Sequence, residues 1–392
     1  MKNKRHVFLW ISLFAVATSL GACATASFPA GKPCATATFS VIDGFAGARR
    51  GTCTVLSPDH VRLDIRPESS GYINDSPWYA FKIVPSAPGE ALITLRYSGG
   101  HHRYWPKISG DGLNWYPMDE QYVTASENRK SADIALPLDG SPVWVAAQEI
   151  IPPALYRVWA EKLSLSSGYP YTSLGTSTRG QSIDMFDSDP TGKEVLLLVG
   201  RQHPPEVSGA FAFLAFTETV LGDSPLAVEF RERFRVIAIP ALNPDGIVGG
   251  NWRHNVDDTD LNRDWGKFKQ PETAAVRDLL KKLDGSDSQL RMFIDFHSTR
   301  DNVFYTQFDE TQPAGFTTTW LDNAKPRINN YPFETSASPA TNPDVAKNYI
   351  FARYGIPAIT FEVGDETDRN ATRKAARVFA EELMRLMLEQ SY

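Results

Sequence analysis

Four apolar runs in this chain each end on a polar motif, and that repetition constrains the fold more than any other feature. Val195-Leu196-Leu197-Leu198-Val199 leads into Gly200-Arg201-Gln202-His203-Pro204-Pro205-Glu206, and Val236-Ile237-Ala238-Ile239 leads into Asn243-Pro244-Asp245-Gly246. Met292-Phe293-Ile294-Asp295-Phe296 is followed at once by His297, and Ala358-Ile359-Thr360-Phe361 by Glu362. Helical patterns follow: a buried helix over 206–221 and an amphipathic one over 271–283 between the runs, and another over 373–388 that closes the chain. Strands alternating with helices predict an α/β domain with a mixed, mostly parallel sheet flanked by helices. Open sheets of this kind collect ligands at the carboxyl ends of their strands.

The residue types at those ends point to a metal. Zinc takes imidazole and carboxylate ligands, and its catalytic form keeps one position open. His203 and Glu206, three apart across a Pro-Pro turn that should open a helix, could face one ion, and His297 could supply the third ligand from a separate strand. Glu362 ends a further strand as a polar group beside them. Taken singly these signals are weak: His297 could be a satisfied core histidine, Asn243-Pro244-Asp245-Gly246 is a turn signal by itself, and Arg263 alone reads as a surface cation.

Together they resemble the zinc metallocarboxypeptidase family. The matching pieces are His203-x-x-Glu206, Asn243-Pro244-Asp245-Gly246, Arg253, Asn262-Arg263, His297 and Glu362, in that order. More narrowly, residues 243–253 followed by Asp260-Leu261-Asn262-Arg263 resemble the cytosolic-carboxypeptidase (deglutamylase-like) branch, over roughly residues 165–390. The resemblance implies one Zn²⁺ per chain held by His203, Glu206 and His297, and Glu362 as general base for a zinc-activated water. It implies Arg253 as the cation that stabilises the oxyanion, and Asn262 and Arg263 as the grip on the free α-carboxylate of a peptide. Arg253 also counts among the substrate-binding residues. Two departures stand out. Pro205 occupies a position where the branch commonly shows Gly, and 336–347 contains no Tyr to cap the substrate, leaving Tyr331 and Tyr349 as poor candidates. Lys347, Arg300 and Arg369 lie close to motif residues in sequence and would suit an acidic substrate side chain.

The chain's start predicts export. Met1-Lys2-Asn3-Lys4-Arg5 is basic, and 7–20 is apolar but shorter than the ~20 residues that span a bilayer, a secretory signal pattern. Leu20-Gly21-Ala22-Cys23 resembles a bacterial lipobox, which would make residues 1–22 a lipoprotein signal and Cys23 the acylated first residue of a membrane-anchored envelope or periplasmic protein. Ordinary cleavage near Ala22-Cys23-Ala24 is the alternative. With Cys23 set aside, Cys34 and Cys53 are an even remainder in an exported chain, which suggests a disulfide, here expected to bridge a hairpin; two free buried thiols are the other possibility.

Residues 24–150 read as an all-β domain. Val61-Arg62-Leu63-Asp64-Ile65-Arg66 alternates apolar and polar, 78–84 and 91–97 do much the same, and turn signals separate them, predicting an antiparallel sandwich. Its Trp and Tyr residues could form a sugar-binding surface or simply a core and an interdomain contact; His101-His102 reads as surface. The sandwich would precede a catalytic domain over 151–392. A formal net charge of −6 and the lack of a basic stripe exclude nucleic acid as a partner. The expected function is an exported zinc carboxypeptidase, a hydrolase of C-terminal peptide bonds; the alternative is a zinc amidohydrolase or deacylase of small N-acyl amino acids or cell-wall peptides.

Overall fold

The structure is a computed structural model that describes residues 34–69, 76–192, 194–309 and 313–390. The expected signal segment and Cys23 lie outside the described residues.

Among the described residues, eleven strands precede the first α-helix: β1 (Cys34–Ala35), β2 (Phe39–Ile42), β3 (Thr52–Ser57), β4 (His60–Ile65), β5 (Ala80–Pro85), β6 (Gly89–Tyr97), β7 (Lys107–Ser109), β8 (Tyr116–Pro117), β9 (Val123–Ala125), β10 (Ser131–Leu138) and β11 (Val143–Ala146). They form two sheets, ordered β1-β2-β5-β11-β7-β8 and β3-β4-β6-β10-β9. Pairing is antiparallel except between β4 and β6, which run parallel. Alternation does the rest: Val61, Leu63 and Ile65 of one sheet and Phe39, Val41, Phe81 and Ile83 of the other are all buried in one shared core.

Cys34 and Cys53 form a disulfide with a Cα–Cα separation of 5.9 Å. It does not bridge a hairpin. β1 and β3 belong to different sheets, so the bond ties one sheet to the other. His102, expected at the surface, is only 1% exposed; its Nδ1 lies 2.8 Å from the Tyr97 hydroxyl.

The chain then passes through α1 (Pro153–Ser167), β12 (Tyr171–Thr176), β13 (Ser182–Asp187), β14 (Glu194–Gly200), α2 (Val207–Val220), α3 (Pro225–Arg233), β15 (Phe234–Ile239), α4 (Pro244–Gly249), α5 (Pro271–Asp284), β16 (Gln289–Thr299), β17 (Val303–Thr306), α6 (Phe316–Ala324), β18 (Glu334–Ala337), α7 (Ala346–Tyr354), β19 (Ala358–Gly364) and α8 (Arg369–Glu389). These strands make one mixed, largely parallel sheet, ordered β12-β13-β15-β14-β16-β19-β17-β18. β14, β15, β16 and β19 form its parallel centre. Their near-continuous apolar sequence suits strands covered on both faces. Along β14, Leu196 and Leu198 enter the core beneath α2 and α8, while Val195, Leu197 and Val199 enter the one beneath α5 and α7. α2 is apolar nearly all round because it lies buried against that sheet and α8. Gly209 lets it come close: a Cβ there would sit 2.2 Å from the His297 carbonyl oxygen.

Candidate active site

The parallel strands β14, β16 and β19 carry the site at their carboxyl ends. β14 runs out through Arg201, whose φ of 52° is a left-handed conformation unusual for a residue with a side chain. Its guanidinium holds the turn, donating to the Tyr156 hydroxyl at 2.9 Å and to the Pro204 carbonyl at 2.6 Å. That turn presents His203, and Glu206 follows as the residue preceding α2. On the neighbouring strand β16, His297 pairs in register with Glu362 of β19.

The ligand atoms of His203, Glu206 and His297 all lie within 4.8 Å of one another, and all three residues are buried. His203 Nδ1 is 2.8 Å from Glu206 Oε1, His297 Nδ1 is 2.7 Å from Glu206 Oε2, and the two Nδ1 atoms are 3.2 Å apart. The far nitrogens are also engaged: His203 Nε2 stands 3.0 Å from Asp260 Oδ1, and His297 Nε2 stands 2.7 Å from Asp295 Oδ2. A proton on each Nε2 satisfies those carboxylates and leaves a lone pair on each Nδ1. In that neutral state two imidazole lone pairs and a carboxylate point into one buried space, where either a proton or a cation must stand between them. Such an acceptor cluster suits a cation, and a carboxylate behind each histidine is the usual support of a metal-bound imidazole. The donor set, two nitrogens and a carboxylate, is one zinc accepts.

Burial opposes ionisation of Glu206, but the imidazoles of His203 and His297 outweigh it and hold this carboxyl far below its usual range. Burial likewise disfavours a charged His297, yet Asp295 and Glu206 push its pKa well above the ordinary imidazole value. The two shifts are opposite sides of one pairing, imidazole charge against carboxylate charge. Asp260 is held low against burial by His203 and Arg253. Glu362 differs: its Oε2 is closed off from solvent without a hydrogen-bond partner, and burial raises the carboxyl to about 7 against the opposing pull of His297. A cation among the three ligands would lower it again.

His203, Glu206 and Glu362 line a cavity of about 250 Å³ that also takes in Arg253, Asn262, Arg263, Ser298, Thr299, Tyr305, Lys347 and Thr360. Arg253 is buried and donates from Nε to Asp260 Oδ2 at 2.7 Å, so Asp260 couples it to His203. Asn262 is buried, its Oδ1 accepting from the Ala346 amide at 2.8 Å, while Arg263 is exposed at the rim. Of the residues the resemblance assigned to zinc, catalysis or the terminal carboxylate, all but His297 line this cavity, and His297 stands behind Glu206 in its wall. Lys347 lines it as well, its ammonium pushed down to about 8 by burial. The other two cations suggested for an acidic side chain lie elsewhere: Arg300 lines a separate cavity with His101 and Arg129, and Arg369 is paired with Glu149.

Several members of the site carry no local signal. The N-terminal sheets contribute Ser76 and Arg103 to the cavity wall, and Arg103 grips Asp365 through Nε at 2.7 Å and Nη2 at 3.2 Å. Glu68 accepts from the backbone amides of Trp252, Arg253 and His254 at 2.7, 2.9 and 2.8 Å. It thus fixes the segment bearing Arg253, while the Trp252 ring sits in the core of the N-terminal sheets. Tyr305, on the short strand after His297, reaches the cavity, whereas Tyr331 packs on Phe379 and Tyr349 on Trp265. The one sequence signal for Tyr305 is its alternation with Phe304 in a strand next to β19.

Comparison with known proteins gives a consistent picture. Residues 159–371, more than half of the chain, match the family model described as zinc carboxypeptidase. Cytosolic carboxypeptidase 2 of Xenopus tropicalis is 32% identical over 117 residues, 29% of this chain and 12% of that protein. The Danio rerio protein of the same name is 33% identical over 127 residues, 31% of this chain and 18% of that protein. The chain therefore matches less than a fifth of the length of either relative. Among solved structures, a metallo-carboxypeptidase from Burkholderia cenocepacia superposes with a TM-score of 0.73 at 20% identity, covering 89% of this chain and 98% of that one. One from Pseudomonas aeruginosa, in complex with (2-guanidinoethylmercapto)succinic acid, gives 0.73 at 21% identity over 89% and 99%. At these identities the likeness is one of fold.

Proposed function

The chain belongs to the zinc carboxypeptidase family, and from that premise we propose that it is an exported zinc-dependent carboxypeptidase that cleaves the last peptide bond of its substrates. The observation that carries this reading is the buried acceptor cluster of His203, Glu206 and His297 beneath the unpartnered Glu362 carboxylate, in one cavity with Arg253 and Arg263. Zinc held by those three residues would supply a Lewis acid and bring the pKa of a water towards neutrality. Glu362 takes the proton from the attacking water and passes it to the departing amine. Its Oε2, with no hydrogen-bond partner, is open to both halves of that exchange. Arg253, held in place by Asp260, receives the charge that builds on the carbonyl oxygen, and because it is already oriented no reorganisation is needed. Asn262 and the rim-exposed Arg263 take the terminal carboxylate, the Arg by its fork. Capture of that charge selects a chain end over an internal bond.

Lys347 on the same wall supports a preference for an acidic terminal side chain, since a buried ammonium is a costly group to leave without an anion. Residues 24–150 serve in this proposal as a sandwich domain that closes the site from one side, and residues 151–392 as the catalytic domain. The basic start and the apolar 7–20 segment support export, and Leu20-Gly21-Ala22-Cys23 supports a lipid anchor at Cys23. A peptide library differing only in its last residue, assayed with and without chelator, tests the proposal. Release of single C-terminal residues, favoured for Asp and Glu and lost with chelator, is the expected result. Turnover of N-acyl amino acids alone would replace it with the amidohydrolase alternative.

A further inference from the structure

Glu362 Oε2 has no hydrogen-bond partner, so no neighbouring side chain fixes that oxygen and its place follows from the backbone of β19. Within the sheet Glu362 stands opposite His297 on one side and Val303 on the other, and the strand ends just beyond it at Gly364. The turn that follows is tied to the α/β half by its backbone: the Asp365 amide donates to the Thr299 carbonyl at 2.8 Å, and the Gly364 amide to Asn302 Oδ1 at 2.8 Å. The charged side chains of Asp365, Glu366 and Arg369 reach the other way, to the N-terminal sheets and the segment that leaves them. Arg103 forks onto the Asp365 carboxylate, and Gln148 Nε2 donates to the Asp365 carbonyl at 3.2 Å. Glu366 accepts from the Trp105 amide at 2.9 Å and from Lys107 Nζ at 2.6 Å. Arg369, which opens α8, donates to both Glu149 oxygens at 2.8 and 3.0 Å.

Lys107 is buried, and a buried ammonium is unfavourable unless it is paired and hydrogen-bonded. It meets that condition with Glu366 and with the Trp105 carbonyl at 2.8 Å. Two ion pairs, Arg103 with Asp365 and Lys107 with Glu366, therefore grip adjacent residues of the turn directly after the strand that bears Glu362. The segment of Arg253 is held alike, with its amides on Glu68. The zinc ligands are held differently: Asp260 behind His203 and Asp295 behind His297 both belong to the α/β half. We propose that the N-terminal sheets place the two groups that act on the reacting bond, while the α/β half holds the metal by itself. In this division Arg103 and Lys107 are positioning residues for Glu362, acting through Asp365 and Glu366, as Glu68 is for Arg253. The inference rests on the reading of Glu362 as general base. Its consequence is that turnover and metal binding separate, because a displacement of about 1 Å at a reacting group can cost about 10²-fold in rate while the ligands of the metal stay where they are.

Lys107→Met in the intact, zinc-loaded protein tests this. It removes the ammonium, keeps most of the apolar stem, and leaves a Glu366 carboxylate that is 45% exposed and can hydrate. Peptide hydrolysis should fall about 10–10²-fold in kcat, KM should stay within about twofold, and metal analysis should still find one zinc per chain. On a Glu362→Gln background the same change should cost little more, since the group it positions is already lost. Glu366→Gln, on the half-exposed side of the contact, should show a smaller loss with the same split between kcat and KM, and it replaces Lys107→Met if that variant does not fold. Wild-type kcat in the folded variants, zinc lost in step with kcat, or a full additional loss on the Glu362→Gln background would each overturn the positioning role. A Glu362→Gln enzyme that turns over like wild type would instead remove the general-base reading beneath it, so that single control tells the two failures apart.

Discussion

Glu68 lies in the N-terminal sheet region, yet its carboxylate holds the three amides of the Arg253 segment, and Glu68→Gln should therefore weaken catalysis from outside the α/β half. Oε1 accepts from Arg253 and His254 and Oε2 from Trp252. In the amide variant one oxygen keeps two bonds without their charge assistance, and the new NH₂ meets the Trp252 N–H donor to donor. Losing charge assistance costs about 1 kcal/mol per bond, and an unsatisfied buried amide costs about 1–3 kcal/mol. The total of about 3–5 kcal/mol is shared between the stability of the segment and the placement of Arg253. If 3 kcal/mol of it reaches the transition state, kcat falls roughly 10²-fold. Because Arg253 acts on charge that develops only during reaction, KM should move little. The metal ligands do not touch Glu68, so zinc content should stay at one per chain. The decisive assay is a double-mutant cycle on peptide hydrolysis with Arg253→Ala. If Glu68 works through Arg253, adding Glu68→Gln to Arg253→Ala costs little more. Fully additive losses, or a Glu68→Gln enzyme with wild-type kcat, would refute the reasoning.

Glu362→Gln should keep zinc and peptide affinity and lose about 10²–10⁴ in kcat; turnover within a few-fold of wild type would remove Glu362 as the base and turn attention to Asp365 and Glu366. His297→Ala should lose both metal and activity, so full zinc occupancy by metal analysis would take His297 out of the site. Mass spectrometry of the mature protein should find an acylated N-terminus at residue 23 and no alkylatable thiols at Cys34 and Cys53 without reduction; any other N-terminus, or two free thiols, would count against the respective half. Burial, aided by Arg129, depresses His102 from 6.5 to about 4. Its share of stability is therefore complete above the ordinary value and lost as pH falls through about 4, up to about 3 kcal/mol; a thermal-melt series in which His102→Gln shows the same acid sensitivity as wild type would contradict this.

Much of the site is legible because it depends on short-range pattern. Apolar runs of strand length define β14, β16 and β19, and the residue after each run must lie at the sheet's carboxyl edge. His203, His297 and Glu362 could thus be assigned to one edge before any contact was known. Glu206 follows from the turn, since three residues separate it from His203 in a segment that must start a helix. The same local logic locates α2 and α5 within a residue or two. It places the start of α8 four residues too late, because Asp368 caps the helix ahead of its first apolar position by accepting from the Ala371 amide.

What the sequence determined by itself is therefore the set of elements, their alternation and the polar residues at their ends. Only the tertiary structure decided the companions of those residues. Asp260 and Asp295 stand behind the histidines, Glu68 and Arg103 arrive from the N-terminal sheets, Tyr305 reaches the cavity where Tyr331 and Tyr349 do not, and Lys347 lines it while Arg300 and Arg369 turn away. The disulfide shows the same division. Its pairing could be expected from cysteine count, but whether it closed a hairpin or joined two sheets depended on how β1 and β3 were distributed. The physical reason is range. Periodicity and turn chemistry act over a few residues through the chain's own geometry, whereas Arg103 meets Asp365 across 262 positions only because two cores, each closed by burial of apolar surface far from either residue, pack against each other.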